Sequence, residues 1–124
     1  GEMRTAALLA KAVANDASAL DAASALHAAT LGGAKALGLD ARVGSIEAGK
    51  LADLAMVDLG QLETQPLHHV ISQLVYAAGR QQVSDVWIAG KARLRQRELV
   101  GMDLAELIAN ARQWRARIAS IRIS

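Results

Sequence analysis

Cysteine and phenylalanine are absent from this 124-residue chain, proline occurs once, and aromatic residues make up 2% of it. Without cysteine there is neither a disulfide framework nor a thiolate-ligated zinc. Two tryptophans and one tyrosine are the only aromatic residues, so the large side chains that usually fill a core are scarce. No run of 18 apolar residues exists, which leaves no candidate transmembrane helix. The stretch Gly1-Glu2-Met3-Arg4 has the character of neither a signal nor a transit peptide, and a cytoplasmic protein is expected.

What is present is alanine: 27 residues, against 32 of leucine, isoleucine and valine combined. Each alanine contributes little apolar area, so stability must lean on close helix contacts or on the surface of a partner. The net charge of +2 is unevenly spread, with 6 basic and 9 acidic groups in residues 1–90 but 8 basic and 3 acidic groups in residues 91–124. A basic tail can attract nucleic acid or an anionic membrane. These arginines are spaced along a strand and an amphipathic helix without the aromatics that accompany base stacking, and read as a solvated face. Neither nucleic acid nor membrane is expected as a partner.

The first forty residues predict two helices, Met3–Ala14 and Asp21–Leu37, separated by Asn15-Asp16-Ala17-Ser18. Asp21 is placed to cap the second, and Gly38 to end it. Ala22, Ala25, Leu26, Ala29 and Gly33 recur on one face of it, small enough to let another backbone approach. Gly44–Lys50 reads as a turn, Leu51–Asp58 as an apolar strand, Gln61–Pro66 as a polar connection and Val70–Ala78 as a short helix closed by Gly79. Val83–Ile88 and Ala92–Arg95 flank Ala89-Gly90-Lys91 as a hairpin. Last comes a helix over 103–122, with Asp103 and Glu106 at capping-box spacing and one stripe of Leu104, Leu107, Ile108, Ala111, Trp114, Ile118 and Ile121.

Few constellations carry chemistry. Gly44 to Lys50 has the G-x-x-x-x-G-K spacing of a phosphate-binding loop. Leu51 stands where a hydroxyl should hold magnesium, however, and a strand rather than a helix follows, so no helix N-terminus would face a phosphate. His68 and His69 lie near Asp58 and Glu63 in sequence, but adjacent residues on a regular element point apart, and His27 stands alone. Ser45 has no evident base beside it and reads as a turn residue. Arg93, Arg95 and Arg97 alternate on one strand face, as an anion site or as a charged edge that discourages strand addition. Trp87 and Trp114 read as core or interface anchors.

Several segments nevertheless stand in a telling order. Glu2-Met3-Arg4 precedes an Ala-Leu-Leu helix, and Leu26-His27-Ala28-Ala29-Thr30-Leu31-Gly32-Gly33-Ala34-Lys35-Ala36-Leu37-Gly38 follows. Gly44-Ser45-Ile46-Glu47-Ala48-Gly49-Lys50-Leu51-Ala52-Asp53-Leu54, Pro66-Leu67-His68, Ser72-Gln73-Leu74-Val75-Tyr76-Ala77 and Val83–Lys91 complete the series. Over about residues 2–100 this resembles the C-terminal portion of the metal-dependent amidohydrolases, in the branch of methylthioadenosine/S-adenosylhomocysteine deaminases and related chlorohydrolases. Two departures stand out: Gln96-Arg97 occupy a hairpin turn where that family usually has Asp or Asn followed by Gly, and Ala48 sits where proline is common.

The resemblance implies an α/β fold: the last helices of a TIM (β/α)8 barrel over 1–40, the C-terminal half of a small β-sandwich over 41–100, and a C-terminal amphipathic helix over 101–124. It implies hydrolytic deamination of adenosine-type nucleosides such as S-adenosylhomocysteine and methylthioadenosine, by water activated on zinc or another divalent metal. The family's ligands are a His-x-His early in the barrel, two later histidines, and an aspartate just upstream of the segment resembling Glu2-Met3-Arg4. His27, His68 and His69 match none of these, so no catalytic, cofactor-binding or metal-ligating residue is assigned to this chain, and alone it should be inactive. Gly33 would permit helix packing, Gly49-Lys50 would turn the chain into the sandwich, and Asp53 would begin a strand. The implied partners are the upstream barrel portion of the same enzyme, a further copy in a homo-oligomer, and a small nucleoside substrate. A different reading is a stand-alone interaction module that docks through the 103–122 helix.

Overall fold

The computed structural model describes residues 1–121. Helix α1 spans Glu2–Ala14 and ends at Asn15, whose left-handed φ of 48° lets the Asp16 N–H return to the Lys11 carbonyl. The Lys11 ammonium then donates to the carbonyls of Ala19 and Leu20 at 2.6 and 3.2 Å, tying down the turn into α2. Helix α2, Ala22–His27, is capped as expected by Asp21, which accepts the Ser24 N–H at 2.7 Å.

The expected helix over 21–37 is helical throughout 22–36 but not uniformly so. A π-turn at Ala28–Gly32 separates α2 from α3, Gly33–Ala36. A Cβ on Gly32 or Gly33 would lie 3.0 Å from the carbonyl oxygen of His27 or Ala28 respectively. Gly33 therefore makes room for its own widened turn. Gly38 ends the helix with φ +67°, its N–H donating to Lys35 and that of Leu39 to Ala34, the paired arrangement of a Schellman cap.

Helix α4 spans Val70–Tyr76. The core sits where α1, α2 and α4 meet: Ala7, Ala22, Ala25 and Val75 are buried, with Met3, Leu20, Leu26, Ile71 and Tyr76 packed around them. Three alanines in that cluster allow close helix contacts but exclude little water, the thin core that the composition predicts.

The strands are β1 (Leu54–Val57), β2 (Val83–Ile88), β3 (Lys91–Arg95) and β4 (Glu98–Leu99), in one sheet of order β1-β2-β3-β4. The strand expected over 51–58 contracts to Leu54–Val57, in its second half. Every pairing is antiparallel, so the α/β expectation is met only as a mixture of helix and sheet, with no βαβ unit among the described residues. The described residues form this single sheet; a sandwich requires a second one from elsewhere. Ala55, Val86, Leu94 and Leu99 are direct cross-strand neighbours on one face, while Leu54 and Trp87 pair on the other.

Both hairpin turns hold two residues at positive φ. The first uses Ala89 and Gly90 (48° and 76°) and the second Gln96 and Arg97 (49° and 68°). The second lacks the usual glycine, and tertiary bonds hold it instead: the Gln96 N–H donates to Asp85 at 3.3 Å and the Arg97 N–H to the Ser84 carbonyl at 2.8 Å. Helix α5, Leu104–Ser120, is capped by Asp103, whose carboxylate accepts the N–H groups of Ala105 and Glu106. All of α5 is exposed, and the expected terminus at Arg122 lies outside the described residues. Among the described residues no helix is long and apolar enough to cross a membrane.

Candidate functional site

The three histidines do not converge. His27 is exposed at the end of α2, and His68 is exposed in the loop before α4. His69 caps α4, its Nδ1 accepting the Ser72 N–H at 3.2 Å. Asp58, the nearby acid, is engaged elsewhere. Its Oδ1 accepts the Gly60 N–H at 2.9 Å, and its Oδ2 accepts from Gln61 and Arg97 at 3.1 and 3.2 Å. The Gly60 N–H first, then Gln61 and the Arg97 guanidinium, hold this carboxyl below its ordinary value. Among the described residues no three His, Asp or Glu side chains come close enough to hold a metal ion, so these residues do not fit a zinc centre.

Gly44–Lys50 closes on itself. The Lys50 ammonium donates to Ser45 Oγ at 2.6 Å and lies 3.5 Å from Glu47, while the Ser45 hydroxyl donates to Glu47 at 2.5 Å. The Ser45 hydroxyl, ahead of Lys50, lowers the Glu47 pKa. With its cation folded back at 13% side-chain exposure, the loop offers nothing to a phosphate. Gly44 itself, at φ +94°, lies against the helix, and a Cβ there would sit 2.7 Å from that of Ala34. The G-K spacing thus reports a packed turn.

The alternating arginines are likewise divided. Arg95 lies across from Asp85 at 3.0 Å with its guanidinium 5.3 Å from the Trp87 ring centre. Arg97 sits in the turn rather than on the strand, bonding Asp58 and the Gln81 carbonyl. A bulge opposite Val86 and Trp87 leaves Arg93 out of the pairing. Asp85 is kept below its usual pKa, first by the Ser84 hydroxyl and then by the Gln96 N–H and Arg95. No anion cradle results.

Sequence reasoning missed a polar junction between the helices and the sheet. Thr64 is fully buried and donates to the carbonyls of Leu59 and Gln61, and Gln73 of α4 donates to the Thr64 carbonyl at 2.7 Å. Gln82, 1% exposed, accepts the Gly79 N–H, donates to Gln61, and offers its carbonyl to the Asp58 N–H. Asp53, expected to begin a strand, lies just ahead of one and accepts the Ala89 N–H at 2.6 Å. These partners lie up to 36 residues apart in sequence, and no local pattern signals them.

What the fold does expose is apolar surface. A cavity of about 480 Å³ opens on the sheet beside Ile46, Leu54, Met56 and Trp87. A second, of about 660 Å³, lies between the helices and β1 and is lined by Met3, Leu26, Gly33, Leu37, Val43 and Leu74. Ile46 is 88% exposed and Leu37 75%. Such contiguous faces on a small chain mark surfaces that another segment covers.

A sequence model of the amidohydrolase family matches residues 1–93. The chain belongs to the amidohydrolase family. This amidohydrolase segment is 46% identical over 121 residues to a 5-methylthioadenosine/S-adenosylhomocysteine deaminase from Teredinibacter turnerae, covering 98% of this chain and 27% of that protein. Among solved structures, an adenosine deaminase from Xanthomonas campestris with bound zinc is 72% identical, with a TM-score of 0.94 over 97% of this chain and 27% of that one. Atrazine chlorohydrolase from Arthrobacter aurescens, complexed with zinc, is 27% identical with a TM-score of 0.82, covering 91% of this chain and 25% of that one. The chain thus spans about a quarter of the length of these relatives and corresponds to their C-terminal part.

Proposed function

We propose that this chain is the C-terminal segment of a metal-dependent amidohydrolase that hydrolytically deaminates adenosine-type nucleosides, S-adenosylhomocysteine and methylthioadenosine among them, in the cytoplasm. The observation that carries the reading is the match of 98% of the chain to 27% of a deaminase of that name. Its contribution is scaffold. Residues 1–40 supply the last helices of the barrel, 41–100 the C-terminal half of a β-sandwich, and 101–124 a terminal helix. The apolar sheet face at Leu54, Met56 and Trp87 is where the second sheet closes, and the cavity lined by Met3, Leu26 and Leu74 is where the rest of the barrel packs.

Zinc binds the two solved relatives named above, and in this enzyme its ligands lie outside the chain. The chain's own side chains orient the scaffold: Lys50 and Glu47 lock the entry loop, and Gln82 joins loop to strand. A stand-alone module is disfavoured, because a closed core is what it requires and four small side chains form the cluster present.

The test is ammonia release by the complete zinc-loaded protein from adenosine, methylthioadenosine and S-adenosylhomocysteine. Turnover of at least one is expected, and absence of turnover with all three sinks the deaminase reading. His27→Ala and His68→Ala in that protein should leave kcat unchanged; loss of turnover in a folded variant would overturn the scaffold assignment.

A further inference from the structure

We draw no further inference here: the strongest candidate, the exposed apolar face of the C-terminal helix α5 along Leu104, Leu107, Trp114 and Ile118, carries nothing because no feature of the structure shows what covers it.

Discussion

The α1–α2–α4 cluster and α5 are built from similar amphipathic sequence yet end in opposite states. In the cluster, Ala7, Ala25 and Val75 are at most 3% exposed; on α5, side chains two to three times their size stand in solvent. Size of the apolar residues therefore does not decide burial here. The presence of a facing element within the same chain does, and the small cluster residues are those that let three helices approach. Where no facing element exists, large residues advertise one.

That contrast can be tested in urea titrations of the intact protein. Val75→Asp places a charge among Ala7, Ala22 and Ala25 and should cost more than about 4 kcal/mol, whereas Val13→Asp, at a position 80% exposed on α1, should change stability by less than about 0.5 kcal/mol; equal effects would dissolve the distinction. Gly44→Ala joins a strained φ of +94° to an approach of 2.7 Å on Ala34, and a loss of about 2–4 kcal/mol is expected. Gln82→Ala leaves the Gly79 N–H and Gln61 without their partner, for about 1–3 kcal/mol; a midpoint indistinguishable from wild type would remove Gln82 from the junction.

Acid should act on the same junction. Asp58 and Asp85 are both held below their usual pKa in the fold. As pH falls the unfolded chain takes up protons first, near about 3.9 for an aspartate. The stability these groups confer is complete above that value and is lost as pH drops through their lower folded values. Asp58→Asn and Asp85→Asn should each flatten the acid limb of a stability profile between pH 5 and 2, and an unchanged limb counts against the assigned bonds. A small effect of opposite sign is expected at Ala89, held at φ 48°, where Ala89→Asn should raise stability by about 0.5 kcal/mol.

Local signals in the sequence were reliable here. Asp21 and Asp103 marked helix starts, Gly38 a helix end, and Ala89-Gly90 a hairpin, because caps and turns depend on residues within five positions. The strand start at Leu51 was misplaced since apolar character at Leu51 and Ala52 extends ahead of the paired region. The packing of Gly44 on Ala34, the bond from Ala89 to Asp53 and the Gln61–Gln82 pair were unreadable, being set by residues 10 or more positions apart. The same reason dispersed the candidate chemistry: G-x-x-x-x-G-K and the His68-His69 pair are spacings, and a spacing does not say which way a lysine folds or which nitrogen caps a helix.

The π-turn at Ala28–Gly32 sets a phase between two contact surfaces. In an uninterrupted α-helix, Ala25 and Ala34 would point in nearly opposite directions, since nine residues amount to two and a half turns. One extra residue absorbed into the wide turn rotates everything after it by about 100°. Ala25 can thereby serve the α1–α4 junction while Ala34 meets Gly44, both buried. The segment behaves as a gear with one added tooth, and removal of Ala29 would disengage the loop from the helix without altering Thr30, Leu31 or Ala34, the residues that lie against Gly44.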